Sequence, residues 1–75
     1  MRILSFGQIA EITGQTDWTV EHVATTEQLR QILTDQFPAL HHLTYLIAVN
    51  QTVIKADTPL QKTDVIALLP PFSGG

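Results

Sequence analysis

The segment from Thr25 to Gln36 constrains the chain more than any other, because it is the clearest helix in the sequence. Leu29, Ile32, Leu33 and Phe37 recur at steps of three and four, which gives one apolar stripe. Arg30, Gln31, Thr34 and Asp35 fall elsewhere on its surface. Thr25 and Gln28 stand at capping-box spacing, with the hydroxyl placed to cover a free N–H and the amide to reach back. Glu27 suits the positive end of the helix. Pro38 stops it, having no N–H to continue the ladder. A helix with one apolar stripe needs a partner layer. At 75 residues, without a cysteine to form a disulfide or thiolate metal site, burial and chain entropy nearly cancel. The helix must therefore be well buried on a compact second layer.

The rest of the sequence supplies a sheet. Met1 to Phe6 reads as a strand, with Leu4 and Phe6 on one face and Met1 and Ile3 on the other. Gly7 to Gln15 is ambiguous; Ile9, Ala10 and Ile12 suit a short helix with Gly14 as its stop. Trp18 to Val23 reads as a second strand, with Trp18, Val20 and His22 sharing a face. After the helix, Ala39 to Thr44 is a connection, and Tyr45 to Val49 is a nearly all-apolar, central strand. Asn50 and Gln51 mark a turn, and Thr52 to Lys55 fits a short edge strand. Asp57 to Pro59 makes a further turn, Leu60 anchors the connection, and Asp64 to Leu69 is the last strand before Pro70-Pro71. A hairpin, a crossover helix and a return to the sheet describe an α+β, ubiquitin-like β-grasp. Its mixed sheet has four to five strands on one main helix, with the first and last strands parallel at the centre. Residues 1–69 form the domain and 70–75 a free tail.

Composition removes several functions. Four basic against seven acidic residues give a net charge of −3. That speaks against nucleic acid and for partners with basic surfaces. The longest apolar run, Val65 to Leu69, is too short to cross a membrane, and the strand-like start does not read as a signal peptide, so a cytoplasmic domain is expected. No Gly-rich phosphate loop is present. His41-His42 lacks the further ligands of a metal site and reads as two solvated loop residues. His22 has no evident Ser or Asp partner for a triad. Asp57 and Asp64 flank a turn and read as caps of backbone N–H groups. Arg30 and Lys62 are too few for a nucleic-acid patch. No bound cofactor or metal is expected.

The end of the chain is different. Two prolines stiffen its exit, so little entropy is lost when it enters a partner. Gly74 and Gly75 carry no Cβ, so the backbone can thread a narrow channel. Six extended residues reach about 20 Å, enough to carry a carboxylate into a neighbouring active site.

Pro70-Pro71-Phe72-Ser73-Gly74-Gly75 resembles the tail of the molybdopterin synthase small-subunit family, which are ubiquitin-like sulfur carriers. Ile3 to Gly7, Glu11 with Gly14, Leu29 with Leu33 and Pro38, Ala48-Val49-Asn50, and Leu60, Asp64 and Ala67 resemble other family positions. The resemblance spans the chain, and the tail is its specific part. Ala10 stands where an Arg is common, Phe72 is larger than the usual Val or Ile, and Lys62-Thr63-Asp64 replaces the usual Asp-Gly-Asp. Because Thr63 disfavours positive φ, that turn should be of another type, such as type I.

The resemblance implies a course of chemistry. An ATP-dependent adenylating enzyme activates the Gly75 carboxylate, and a sulfur donor protein converts it to a thiocarboxylate. The large synthase subunit then passes the sulfur to precursor Z, the cyclic pyranopterin monophosphate, in a heterotetramer of two small and two large subunits. Gly75 would bear the sulfur. Gly74, Ser73, Phe72, Pro71 and Pro70 would enter the partner. Leu60 and Phe6 are candidates for an apolar docking patch, with plain core as the competing reading. The alternatives are sulfur carriage for thiamine or tRNA thiolation, a ubiquitin-like protein modifier, or a binding module that ignores its tail.

Overall fold

Ile3 and Ser5 face inward and Arg2 and Leu4 outward along β1 (Arg2–Ser5), the first strand of the computed structural model, which describes residues 1–71. A short helix follows, α1 (Gly7–Thr13), where the sequence pattern alone is ambiguous. Ile9 carries it into the core. Gly14 closes it in the left-handed region, φ 73°, with its N–H donating to the Ala10 carbonyl. Buried Ser5 is satisfied there, donating to the Gln15 carbonyl at 2.5 Å.

β2 (Asp17–Thr19) is shorter than the expected Trp18–Val23 strand. Val20 still exchanges bonds with Met1, but the residues beyond it leave the ladder. There the His22 ring turns to the Leu60 carbonyl, 2.8 Å away, and Val23 packs against the core.

α2 (Thr26–Gln36) begins and ends where the sequence signals place it. Thr25 Oγ1 accepts the Gln28 N–H at 3.3 Å. The Gln28 amide accepts from the Ala24 N–H, one residue earlier than in the usual capping box. Asp57 completes the cap from across the molecule, its Oδ1 accepting the Glu27 N–H at 2.9 Å. Leu29 and Leu33 are fully buried and Phe37 partly so, but Ile32 is 44% exposed and lies at the margin of the stripe. A 3-10 turn (Pro38–His42) occupies the expected connection and buries Leu40.

β3 (Leu46–Val49) and β4 (Thr52–Val53) form a two-residue hairpin. Its turn residues Asn50 and Gln51 have φ of 50° and 72°, the type I′ signature that matches strand twist. Thr63 is not among the residues at positive φ, and Asp64 N–H donates to Gln61 O at 3.1 Å across the last turn. β5 (Val65–Leu69) then runs up the middle.

The sheet order is β2-β1-β5-β3-β4, with β1 and β5 parallel and the other neighbours antiparallel. Register aligns Ile3, Ile66 and Val49 in one row and Ser5, Leu68 and Ile47 in the next, all on one face. Ile9, Leu29, Leu33, Leu40, Tyr45 and Leu60 close over that face to make the core. This is the expected β-grasp, with five strands and a second, short helix.

Leu33→Ala should cost about 3 kcal/mol, a large share of what a domain of this size can hold. Urea denaturation would read this as a lower midpoint at unchanged slope. A loss below about 1 kcal/mol would mean that α2 does not anchor the core.

Candidate functional site

The tail starts from the centre of the sheet. β5 ends at Leu69, and the exposed Pro70 and Pro71 follow. Pro70 passes against Gly7, its Cγ 3.5 Å from where a Cβ on Gly7 would lie. That is an ordinary contact a side chain could make; what calls for glycine is the backbone, at φ +58° where α1 starts abruptly. Phe72, Ser73, Gly74 and Gly75 lie outside the described residues.

A polar clamp fixes the base of the same strand. Asn50 donates its backbone N–H to the Val65 carbonyl at 2.8 Å, and its side-chain oxygen accepts the Val65 N–H at 2.9 Å. Its amide nitrogen donates to Asp64 Oδ1 at 2.9 Å. The other Asp64 oxygen accepts the Gln61 N–H at 2.7 Å. That backbone bond, and then the Asn50 amide, hold the Asp64 carboxyl below its usual range. Asp64 and Asp57 are therefore both caps of backbone N–H groups, as their position beside a turn implies.

The second face of the sheet is uncovered by either helix. Alternation puts Leu4, Val65, Ala67, Leu69, Leu46, Ala48 and Val53 on it, opposite the core rows. Val53 is 41% exposed, whereas Ala48 is buried among its neighbours. Leu4, Val65 and Ala67, with Asn50 and Gln51, line a shallow depression of about 370 Å³. At one margin Arg2 forks onto Asp17, with bonds of 2.9 and 2.6 Å. Phe6, 46% exposed, stands beyond Leu4 at the end from which the tail leaves.

The two sequence candidates for docking thus separate. Phe6 is on the surface, at the end of the sheet from which Pro70 and Pro71 leave. Leu60 is 4% exposed and belongs to the core, where its N–H also donates to the Ala24 carbonyl at 2.8 Å. The open face carries the apolar surface instead. Its signal was present in Val65-Ile66-Ala67-Leu68-Leu69, a run apolar at both parities, which a strand with one wet face does not need. His41 and His42 are exposed on the 3-10 turn, their rings edge to face at 5.3 Å. Among the described residues no three His, Cys, Asp or Glu side chains gather into a metal site, and no helix is long and apolar enough to cross a membrane.

A family model described as the ThiS family matches residues 3–75. The chain is 38% identical to the molybdopterin synthase sulfur carrier subunit of Escherichia coli, over all of this chain and 99% of that protein. It is 33% identical to the protein of the same name from Caenorhabditis briggsae, over all of this chain and 96% of the relative. A solved structure from Pyrococcus furiosus, assigned to molybdopterin converting factor subunit 1, superposes with a TM-score of 0.85 at 18% identity, covering 93% of this chain and 94% of that one. SAMP1 from Haloferax volcanii superposes at 0.75 and 23% identity, covering 99% and 97%. At these identities the two structures establish the fold alone.

The clamp makes a pH prediction. Asp64 is held below its ordinary value of 3.8, so its stabilisation is complete above that pH and is lost as pH falls through the folded-state value. Stability of the native chain should therefore drop on acidification below about pH 4. In Asp64→Asn the chain should be less stable at neutral pH and show a shallower acid limb. Denaturation midpoints measured across pH would check this, and parallel acid limbs would remove the carboxylate from the account.

Proposed function

The chain belongs to the ThiS family, and from that membership we propose that it is the sulfur-carrier subunit of a molybdopterin synthase, working in the cytoplasm through the Gly75 carboxyl group. A carboxylate is a poor electrophile, so it must first be activated. One Gly75 oxygen attacks the α-phosphate of ATP on an adenylating enzyme, pyrophosphate leaves and an acyl-adenylate forms. The terminal sulfur of a persulfide on a donor protein then attacks the carbonyl carbon to give an acyl disulfide, which a protein thiol cleaves, the thiol and the donor's inner sulfur ending as a disulfide. AMP departs with one of the original carboxylate oxygens, and a thiocarboxylate remains. The tail next enters the large synthase subunit and its sulfur passes to precursor Z. Hydrolysis returns the carboxylate. A dithiolene needs two sulfurs, so two carriers serve each product.

The observation that carries this reading is the exit of the Pro-Pro segment from the central strand, beside an open apolar face. A partner that covers the sheet there would meet the tail at a defined position, and the stiff prolines would direct it away from the domain. Phe72, Ser73 and Gly74 would line the passage, with Gly74 allowing the closest approach of the channel wall. The domain supplies no acid or base in this scheme. Those groups lie on the partners.

Co-expression with an adenylating enzyme and a sulfur donor should raise the intact mass by the exchange of one oxygen for sulfur, mapped to Gly75. Deleting Gly75 should abolish the exchange and leave the unfolding midpoint unchanged. Higher-mass lysine conjugates without the exchange would favour a protein modifier, and an unmodified chain would end the proposal.

Ala67→Glu places a charge in the middle of the open face. It should weaken binding to the large subunit by about tenfold or more, since one desolvated unpaired charge costs well over 1.4 kcal/mol. Calorimetric titration would show it. Unchanged affinity, with the fold intact, would move docking off this face.

A further inference from the structure

A groove that neither Pro70 nor Pro71 lines runs between the free edge of β2 and α2. It has a volume of about 510 Å³ and is walled by Trp18, Val20, Val23, Leu29 and Ile32, with Glu21 on its rim. Trp18 is fixed in place by an edge-to-face contact with Phe37, their centroids 6.5 Å apart. Ile32 is the large aliphatic residue of α2 that the core does not use.

β2 is the first strand in the sheet order, so one of its edges has no neighbour among the described residues. Thr16, Trp18 and Val20 direct their backbone groups toward β1. By antiparallel alternation, the N–H and C=O groups of Asp17, Thr19 and Glu21 point outward. An edge of unpaired backbone groups beside an apolar trough is the geometry that takes up an extended chain, with ladder bonds for its backbone and pockets for alternate side chains.

Charge selects the occupant. Glu21 is the only Asp, Glu, Lys or Arg lining the groove, and it has no ion-pair partner among the described residues. A second copy is a poor fit. Antiparallel pairing of two β2 edges centred on Thr19 sets Asp17 of one copy opposite Glu21 of the other, a like-charge pair on each side. We propose that the β2–α2 groove binds an extended protein segment as a sixth strand, one with aliphatic residues at alternate positions and a flanking lysine or arginine that meets Glu21. This surface shares no residue with the depression on the open face and includes neither Pro70 nor Pro71. The inference does not depend on the sulfur chemistry.

The test uses the full chain, labelled with ¹⁵N, and a blocked synthetic heptapeptide, Lys-Val-Thr-Ile-Thr-Val-Lys. Saturable shifts are expected at residues 17–23 and at Leu29, Ile32 and Gln36. Ile32→Lys, at an exposed position that should leave the fold intact, should weaken binding by about tenfold or more, the worth of one buried aliphatic contact. Glu21→Gln should weaken the lysine peptide, and a version with Glu in place of both lysines should bind less tightly than the parent. A peptide N-methylated on the edge-facing residues should not bind. No saturation at millimolar peptide, equal binding of the N-methylated peptide, or shifts confined to Leu4 and Ala67 would overturn the proposal. So would a concentration-dependent dimer with shifts at β2 in the absence of peptide.

Discussion

Parallel pairing of β1 with β5 brings both ends of the domain to the middle of one sheet, and most of the architecture answers to that constraint. A parallel pair cannot be closed by a tight turn, so the intervening chain has to leave the sheet and return. α2 fills that crossover, and burial of Leu29 and Leu33 against Ile3, Ile47, Ile66 and Leu68 holds it there. The N-terminus of α2 is in turn tied to the 57–60 segment. Thr26 exchanges bonds with Thr58, Thr25 bridges Pro59, and Asp57 caps Glu27. The segment that leads into the last strand thus helps to complete the helix that covers the sheet.

Elements whose signals are local were legible in the sequence. α2 carried its cap, its stripe and its stop between Thr25 and Pro38. The Asn50-Gln51 turn was readable as a turn, though its type I′ form, with a non-glycine residue at both positive-φ positions, was not. The misses depended on distant partners. β2 was read four residues too far because Trp18, Val20 and His22 fall on one face well enough for a strand. What ends the ladder is a carbonyl at Leu60, 38 positions away, that takes the His22 ring. Leu60 itself could not be assigned to core or surface from its own neighbourhood. α1 was ambiguous because a seven-residue helix has too few positions to show a period, and burial of Ile9 settles it.

Asn50 illustrates how one residue can serve local and distant structure together. Its left-handed backbone makes the hairpin turn, and its side chain stands in for a missing strand neighbour at Val65, accepting the N–H that would otherwise be orphaned at the base of β5. The same amide steadies Asp64, which holds the turn before the strand. From sequence, Ala48-Val49-Asn50 and Asp64 could be matched to a family pattern. The physical reason for the match is that these residues fix where the tail-bearing strand begins.

A small domain has little apolar surface to spare, yet this one leaves Leu4, Ala67, Leu69, Leu46 and Val53 uncovered by its helices. Turning a helix over them would complete a second core. It would also wall off the side of β5 from which the chain continues. Under the proposed function, an open face beside that exit would give a partner an area to bind apart from Pro70 and Pro71. The low-entropy proline segment would then present the terminal carboxyl to that partner. In the proposed function the sheet would set affinity and orientation, and the terminal carboxyl would supply the chemistry. The stability of the domain and the reactivity of its end can then vary independently. A side-chain active site embedded in the core would couple them.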